Sequence, residues 1–229
     1  MTTIHTIGID ISKSVFHVIG TNRAGRIVLR KVLKRSEVRH YLANVPNCLI
    51  GMKACGGSSY WAREPQGLGH TVKLMDARYV KPYVKGNKND FNDAEALAEA
   101  VRRPTMRFVP IKSVAQQDIQ SIHRVRSGLV RQRTAMGNQL HGLLGEYGIV
   151  MPVGVASVRR RIPQILEDAQ NGLSTAMRKL LAELYHRLVH VDESIKQSNK
   201  HLEFVQQQDE VSAPMHRCGF WAGHCYRHG

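Results

Sequence analysis

IHTIGIDISKSVFHVIG, residues 4–20, carries two strand-like runs with an acid between them. Apolar residues alternate with small or polar ones through IHTIGI (4–9) and again through SVFHVIG (14–20), which is the period of a strand. Asp10 follows the first run directly. The turn sequence TNRAG (21–25) then leads to a third run, RIVLRKV, so the three strands read as an antiparallel meander with a turn at Asn22–Gly25.

Working outward, SEVRHYLANV has helical spacing with Ser36 as its N-cap. CLIGM (48–52) is a short buried strand, SSYWAREPQGLGH a helix candidate and TVKLM (71–75) another strand. Three strands, then helix, strand, helix, strand is the ribonuclease H-like order, an α/β mixed sheet with helices packed on it. Beyond about residue 90 the chain turns helical. DAEALAEAVRR is rich in strong helix formers and stops at Pro104. A long helix follows from about Val114 to Tyr147, with Ile122, Val125, Leu129, Met136, Leu140, Leu143 and Tyr147 at steps of three, four or seven. Another runs from about Ser174 to Val205, with Met177, Leu180, Leu184, Leu188, Val191, Ile195 and Leu202. These stripes predict an antiparallel helical hairpin or a coiled-coil dimer contact, hence a homo-oligomer. Residues 148–172, with Pro152, Pro163 and Arg159–Arg160–Arg161, read as a connector. The division expected is 1–110, 111–210 and a tail at 211–229.

Thirty-three Lys and Arg against 18 Asp and Glu give a net charge of +15, and the 229 residues are 42% hydrophobic. That content excludes global disorder, and that charge favours a polyanion, because each neutralised phosphate releases counterions. No apolar run nears the ~20 residues that span a bilayer. The N-terminus lacks the basic segment and apolar stretch of a secretory signal. Four cysteines are too few for a disulfide framework, and a cytoplasmic location without membrane contact is expected.

Asp10 at a strand end and Asp90 and Asp93 on one face of a helix start could converge on one point. Three carboxylates there would repel one another unless a divalent cation neutralised them, and Mg²⁺ is the hard, oxygen-seeking choice beside phosphates. Taken singly, Asp10 also suits a turn, Asp90 an N-cap, and Asp93 and Glu95 the helix dipole. Lys73, Arg78, Lys81, Lys85 and Lys88 crowd the approach to Asp90, with Tyr79 and Tyr83 between them, a pattern suited to phosphate contact or to a solvated surface. Arg124, Arg126, Arg131 and Arg133 stud the long helix with the same two readings.

GIDISKSVFHV, GMKACGGSSYWARE, YVKPYVKGNKNDFNDAEALAEAVRRPTMRFVPIKS, QQDIQSIHRVR and HGLLGEYGIVMP resemble the IS110 family of insertion-sequence transposases, over about residues 5–210 and most specifically over 79–113. The resemblance implies a RuvC-like N-terminal domain with a four-acid (DEDD) centre for two Mg²⁺ ions, acting in DNA transposition by strand cleavage and exchange. It makes Asp10 the first acid and Asp90 and Asp93 the third and fourth, and implies DNA and a structured guide RNA as partners. The family's G-M-E-A-C-G-G here reads GMKACGG, which puts Lys53 where the second acid is expected. An ammonium repels a metal ion and would instead pair with the remaining acids, so impaired or lost catalysis is expected. Lys53 as a phosphate contact is the alternative.

Pro65, Gly137 and Gly145 inside helix candidates read as further relaxation, costing roughly 3 kcal/mol for the proline and 1 kcal/mol for each glycine. In the tail, His216, Cys218, His224, Cys225 and His228 have no standard zinc spacing. Read one base later with a permitted codon set, the tail resembles the G-x-G-P-x-x-A-T-A segment that opens the family's C-terminal domain. The expectation is a frameshifted tail and a missing domain, and with it a missing serine nucleophile. Rival functions are a binding or oligomerising remnant without chemistry, a Holliday-junction-type resolvase with Glu95 or Asp76 as substitute acid, and a sugar-kinase-like ATPase, which lacks its glycine-rich phosphate loops.

Overall fold

A computed structural model describes residues 3–86 and 89–208. The chain divides into two compact units, Met1–Ser113 and Val114–Gly229. The tail with its candidate zinc ligands and its frameshift reading lies outside the described residues, as do Asn87 and Lys88.

The first unit is built on one six-stranded sheet. Its strands are β1 (Thr6–Ile11), β2 (Val15–Thr21), β3 (Ile27–Lys34), β4 (Leu49–Lys53), β5 (Thr71–Met75) and the two-residue β6 (Phe108–Val109), in the spatial order β3-β2-β1-β4-β5-β6. β1, β2 and β3 are antiparallel, β4 and β5 continue parallel to β1, and β6 closes the far edge antiparallel. The helices α1 (Val38–Ala43) and α2 (Ser58–Gly67) make the two crossovers. An antiparallel meander feeding parallel strands through helices is the ribonuclease H-like arrangement, as the alternation of the first 75 residues predicts.

The β2–β3 turn forms where Asn22 and Gly25 place it. Gly25 has φ +83°, and the Asn22 side chain accepts the Arg26 N–H at 3.0 Å. Ser36 does not cap α1. The residue before the helix is Glu37, whose carboxylate accepts the Lys34 N–H at 2.9 Å instead and so fixes the strand end. Pro65 is accommodated in the last turn of α2, where it is buried and its carbonyl accepts the N–H groups of Leu68 and His70. β1 is central and covered on both faces. Ile7 and Ile9 pack with Phe16, Val18, Ile50, Met52 and Trp61 on the α1/α2 side. The other face of β1 receives α4 (Asp90–Ala100). Between β5 and α4 lie the short α3 (Ala77–Val80) and a single 3₁₀ turn, Lys81–Tyr83.

The second unit contains α5 (Val114–Gly145), α6 (Val155–Glu167) and α7 (Thr175–Gln208). α5 and α7 pack antiparallel, since Arg133 pairs with Asp192 and Arg126 with Asn199. This is the hairpin alternative within one chain. Leu140 and Leu144 of α5 pack with Leu181, Leu184 and Leu188 of α7. Val125 and Leu180, assigned to the stripes above, face outward. Residues 155–167 are helical, not a connector, because Val158, Ile162 and Ile165 form a buried face. Pro163 removes the N–H that would bond the Arg159 carbonyl, and the Tyr185 hydroxyl donates to that carbonyl at 3.2 Å in its place. Gly137 has a packing reason too: a Cβ there would meet Val155 at 3.3 Å, and Gly145 is the last residue of α5 rather than an interior one. No described helix is long and apolar enough to cross a membrane.

Candidate functional site

The site is set by how closely α4 lies on the sheet. Its inner face is Ala94, Leu97 and Ala98, and it rests on two glycines. A Cβ at Gly8 would lie 2.0 Å from the Ala94 carbonyl oxygen and 2.5 Å from the Ala98 nitrogen. A Cβ at Gly51 would lie 2.8 Å from the Leu97 oxygen. Glycine on β1 and on the adjacent β4 therefore lets helix backbone touch strand backbone. Asn89, whose side chain accepts the Phe91 N–H at 3.0 Å, caps the helix and fixes where it starts. Asp90 is thus the first helical residue and not the cap. The result carries the first turn of α4 over the C-terminal ends of β1 and β4, where Asp10 and Lys53 stand.

There Lys53, not a metal donor, occupies the centre. Its ammonium lies 3.2 Å from Asp10 Oδ1 and 4.0 Å from Asp93 Oδ2. The nearer contact is an ion pair without the alignment of a hydrogen bond, so Oδ1 is buried with no hydrogen-bond partner. Burial pushes the Asp10 carboxyl above its ordinary range; Lys53 pulls it back in part, and the neighbouring Asp93 and Asp90 add to the rise. For Lys53 burial acts downward, but Asp10 and then Asp93 outweigh it and hold the ammonium above its ordinary value. The cation at this point is permanent at neutral pH.

Asp90 is drawn elsewhere. It is exposed, and its Oδ2 lies 3.7 Å from His17 Nδ1. The His17 ring in turn packs edge-on against Phe91 at 4.8 Å. The structure so brings Asp10 and Asp93 together around Lys53 and leaves Asp90 on the flank. Among the described residues no three His, Cys, Asp or Glu side chains are grouped to hold a metal ion. Two carboxylates with an ammonium between them do not fit a divalent cation. Neither substitute acid joins them: Asp76 caps α3 and pairs with Arg78 at 2.7 Å, and Glu95 meets Lys85 at 3.7 Å.

Of the candidate phosphate contacts, Lys81 is exposed in the turn after α3. Lys85 is exposed too, but its ammonium is engaged by Glu99 at 3.1 Å as well as by Glu95. Lys88 lies outside the described residues. Arg124 and Arg131 are exposed on α5, and Arg126 is turned to Asn199 at 2.5 Å. Sequence reading passed over a second set of cations: Arg26, Arg30, Lys31, Lys34 and Arg35, on and beside the edge strand β3. Arg30 lies 4.2 Å over the Phe91 ring, next to the acids, and Arg35 lies 4.9 Å over Trp61. The signal was the run RIVLRKVLKR, which puts five cations within ten residues, three of them in the strand and one at each end of it.

Comparison with known proteins meets the same elements. The family model for DEDD-type IS110 transposases, described as "Transposase", matches residues 7–149, from β1 to the end of α5. The chain belongs to that family. A Pseudomonas aeruginosa protein named "Probable family 20 transposase" is 45% identical over 86% of this chain and 59% of its own length. The Coxiella burnetii transposase for insertion sequence element IS1111A is 39% identical over 92% of this chain and 58% of its own. The Yersinia enterocolitica transposase for IS1328 is 38% identical over 93% and 63%. This IS110-family chain thus spans about three fifths of the length of these relatives. A Thermus thermophilus RuvC bound to a Holliday junction substrate is 13% identical over 45% of this chain and 98% of its own, at a TM-score of 0.34, too distant to bear on function. The IS110 family implies use of a divalent metal, and Lys53 stands in the way of one here.

Proposed function

We propose that this chain is a DNA-binding transposase domain, acting in insertion-sequence transposition, whose acid centre is held closed by its own cation. One observation carries the reading: the Lys53 ammonium sits between Asp10 and Asp93, at 3.2 and 4.0 Å. A carboxylate at position 53 would add a third oxygen donor. The lysine instead neutralises the two that remain, so metal-dependent strand cleavage is impaired. Binding does not need that centre, because the cations of β3 and of α5 lie outside it. The parts of the reading are a nuclease-like domain at 1–110, a helical region at 111–210, an RNA partner, self-association through the helices, and a place in the cytoplasm beside the DNA.

The test compares the chain with Lys53→Glu by calorimetric titration with Mn²⁺ and Mg²⁺ and by strand cleavage of branched and linear DNA. The expected result is no saturable metal binding and no cleavage by the chain as it is, with metal binding gained in the variant. Equal metal affinity in the two proteins, or robust metal-dependent cleavage by the unaltered chain, would sink the proposal. The resolvase reading has no observation in its favour, since Glu95 and Asp76 are both taken by cations.

A further inference from the structure

An open cleft of about 870 Å³ lies on the sheet rim, lined by Ser14, Val15, Lys34, Arg35, Tyr60 and Trp61. It begins just beyond the rim pair Asp10↔His17, because Val15 pairs with Lys34 one step past Phe16↔Leu33. Its floor is rigid. Trp61 is buried and packs edge-on against Phe16 of the core at 4.7 Å, and Arg35 covers the Trp61 ring. Tyr60 stands edge-on to Trp61 at 5.2 Å but is 46% exposed, so an aromatic face is held out to solvent by a fixed neighbour. Two cations line this cleft and no carboxylate does. A lone exposed aromatic flanked by cations suits a base with its phosphates. Base–aromatic stacking is sequence-tolerant, and Lys and Arg track the backbone. A duplex can offer a base to a concave cleft only by unstacking and unpairing it, at a cost of a few kcal/mol that a single strand largely avoids.

We infer that this cleft receives an unpaired base of single-stranded DNA, stacked on Tyr60, with the flanking phosphates on Lys34 and Arg35. The inference rests on the DNA-binding reading above and adds the strand form and the seat. The test measures binding of the full chain to a fluorescent single strand, to its duplex and to the RNA of the same sequence, for the unaltered protein, Tyr60→Ala and Tyr60→Phe. Loss of one stacking contact predicts single-strand binding weakened between about fivefold and about a hundredfold in Tyr60→Ala. Duplex binding should change less than about twofold, and Tyr60→Phe should bind as the unaltered chain does. Irradiation of a strand carrying 5-iodouracil should cross-link to the peptide that holds Tyr60. Single-strand affinity unchanged in Tyr60→Ala, equal loss for duplex, loss confined to RNA, or cross-links only elsewhere would each overturn the inference. If the unaltered chain binds duplex but no single strand, the inference falls while the DNA-binding reading stands; if it binds neither, both fall.

Discussion

Replacing Lys53 by Met removes the central cation and keeps the unbranched stem of the side chain, one heavy atom shorter. At 3.2 Å and an effective dielectric of about 20, the attraction to Asp10 is roughly 5 kcal/mol gross. Much of that is offset by dehydration, and a third of the Lys53 side chain reaches water, so the net loss should be about 1–3 kcal/mol. The loss should depend on pH. The folded Asp10 already binds its proton more tightly than an ordinary carboxyl, so its contribution to stability falls as pH rises through the raised value. Lys53 is the influence that limits that rise, and without it the window extends further upward. Lys53 itself, with its value raised, stays fully charged below the ordinary lysine range, so its own charge does not change between pH 5 and pH 8. Lys53→Met should therefore cost more at pH 8 than at pH 5, where protonation of Asp10 relieves the unpaired charge. Urea unfolding at the two pH values, in buffer free of divalent metal and followed by a probe in the first unit, measures this. A variant as stable as the parent at pH 8, or one hurt more at pH 5, would refute the ion-pair account of the site.

Two further outcomes test the packing. Gly8→Ala places a methyl 2.0 Å from the Ala94 carbonyl oxygen, so α4 must shift; a loss of at least about 1–3 kcal/mol is expected from urea midpoints, and less than ~0.5 kcal/mol would show that α4 does not rest on β1 as described. Tyr185→Phe should cost about 0.5–1 kcal/mol in the second unit, but almost nothing in a Pro163→Ala background, where residue 163 supplies the N–H that the Arg159 carbonyl lacks; equal costs in the two backgrounds would exclude the repair.

The elements that local pattern determines were legible. The meander follows from period-two runs joined by Asn22–Gly25, and α4 follows from its alanine-rich composition and Pro104. What local pattern leaves open is which of two adjacent residues faces inward. In α7 the steps Met177–Leu180–Leu184 and Met177–Leu181–Leu184 both suit a helix, and only the partner α5 selects Leu181. α6 was hidden because its proline and three arginines are loop signals, and the group that repairs the lost hydrogen bond, Tyr185, lies 22 residues beyond Pro163.

The acid centre divides along the same line. The identities of Asp10, Lys53, Asp90 and Asp93 are plain in the sequence, and so is the sign of the charge at 53. Their meeting depends on the parallel pairing of β1 with β4, which aligns Ile9 with Met52 and so sets Asp10 beside Lys53. It depends equally on the two glycines that let α4 descend to the sheet. Gly8 and Gly51 read locally as weak points in strands, yet they set the height of Asp93 above Asp10, and an ammonium closes that gap. The split of the acids, with Asp93 on Lys53 and Asp90 on His17, had no local signal, because His17 enters only through its antiparallel register with Asp10. A glutamate at 53 would meet the same two carboxylates at the same height with its charge reversed. The arrangement that makes Lys53 stabilising would then hold three like charges together, and metal would be required for stability as much as for chemistry.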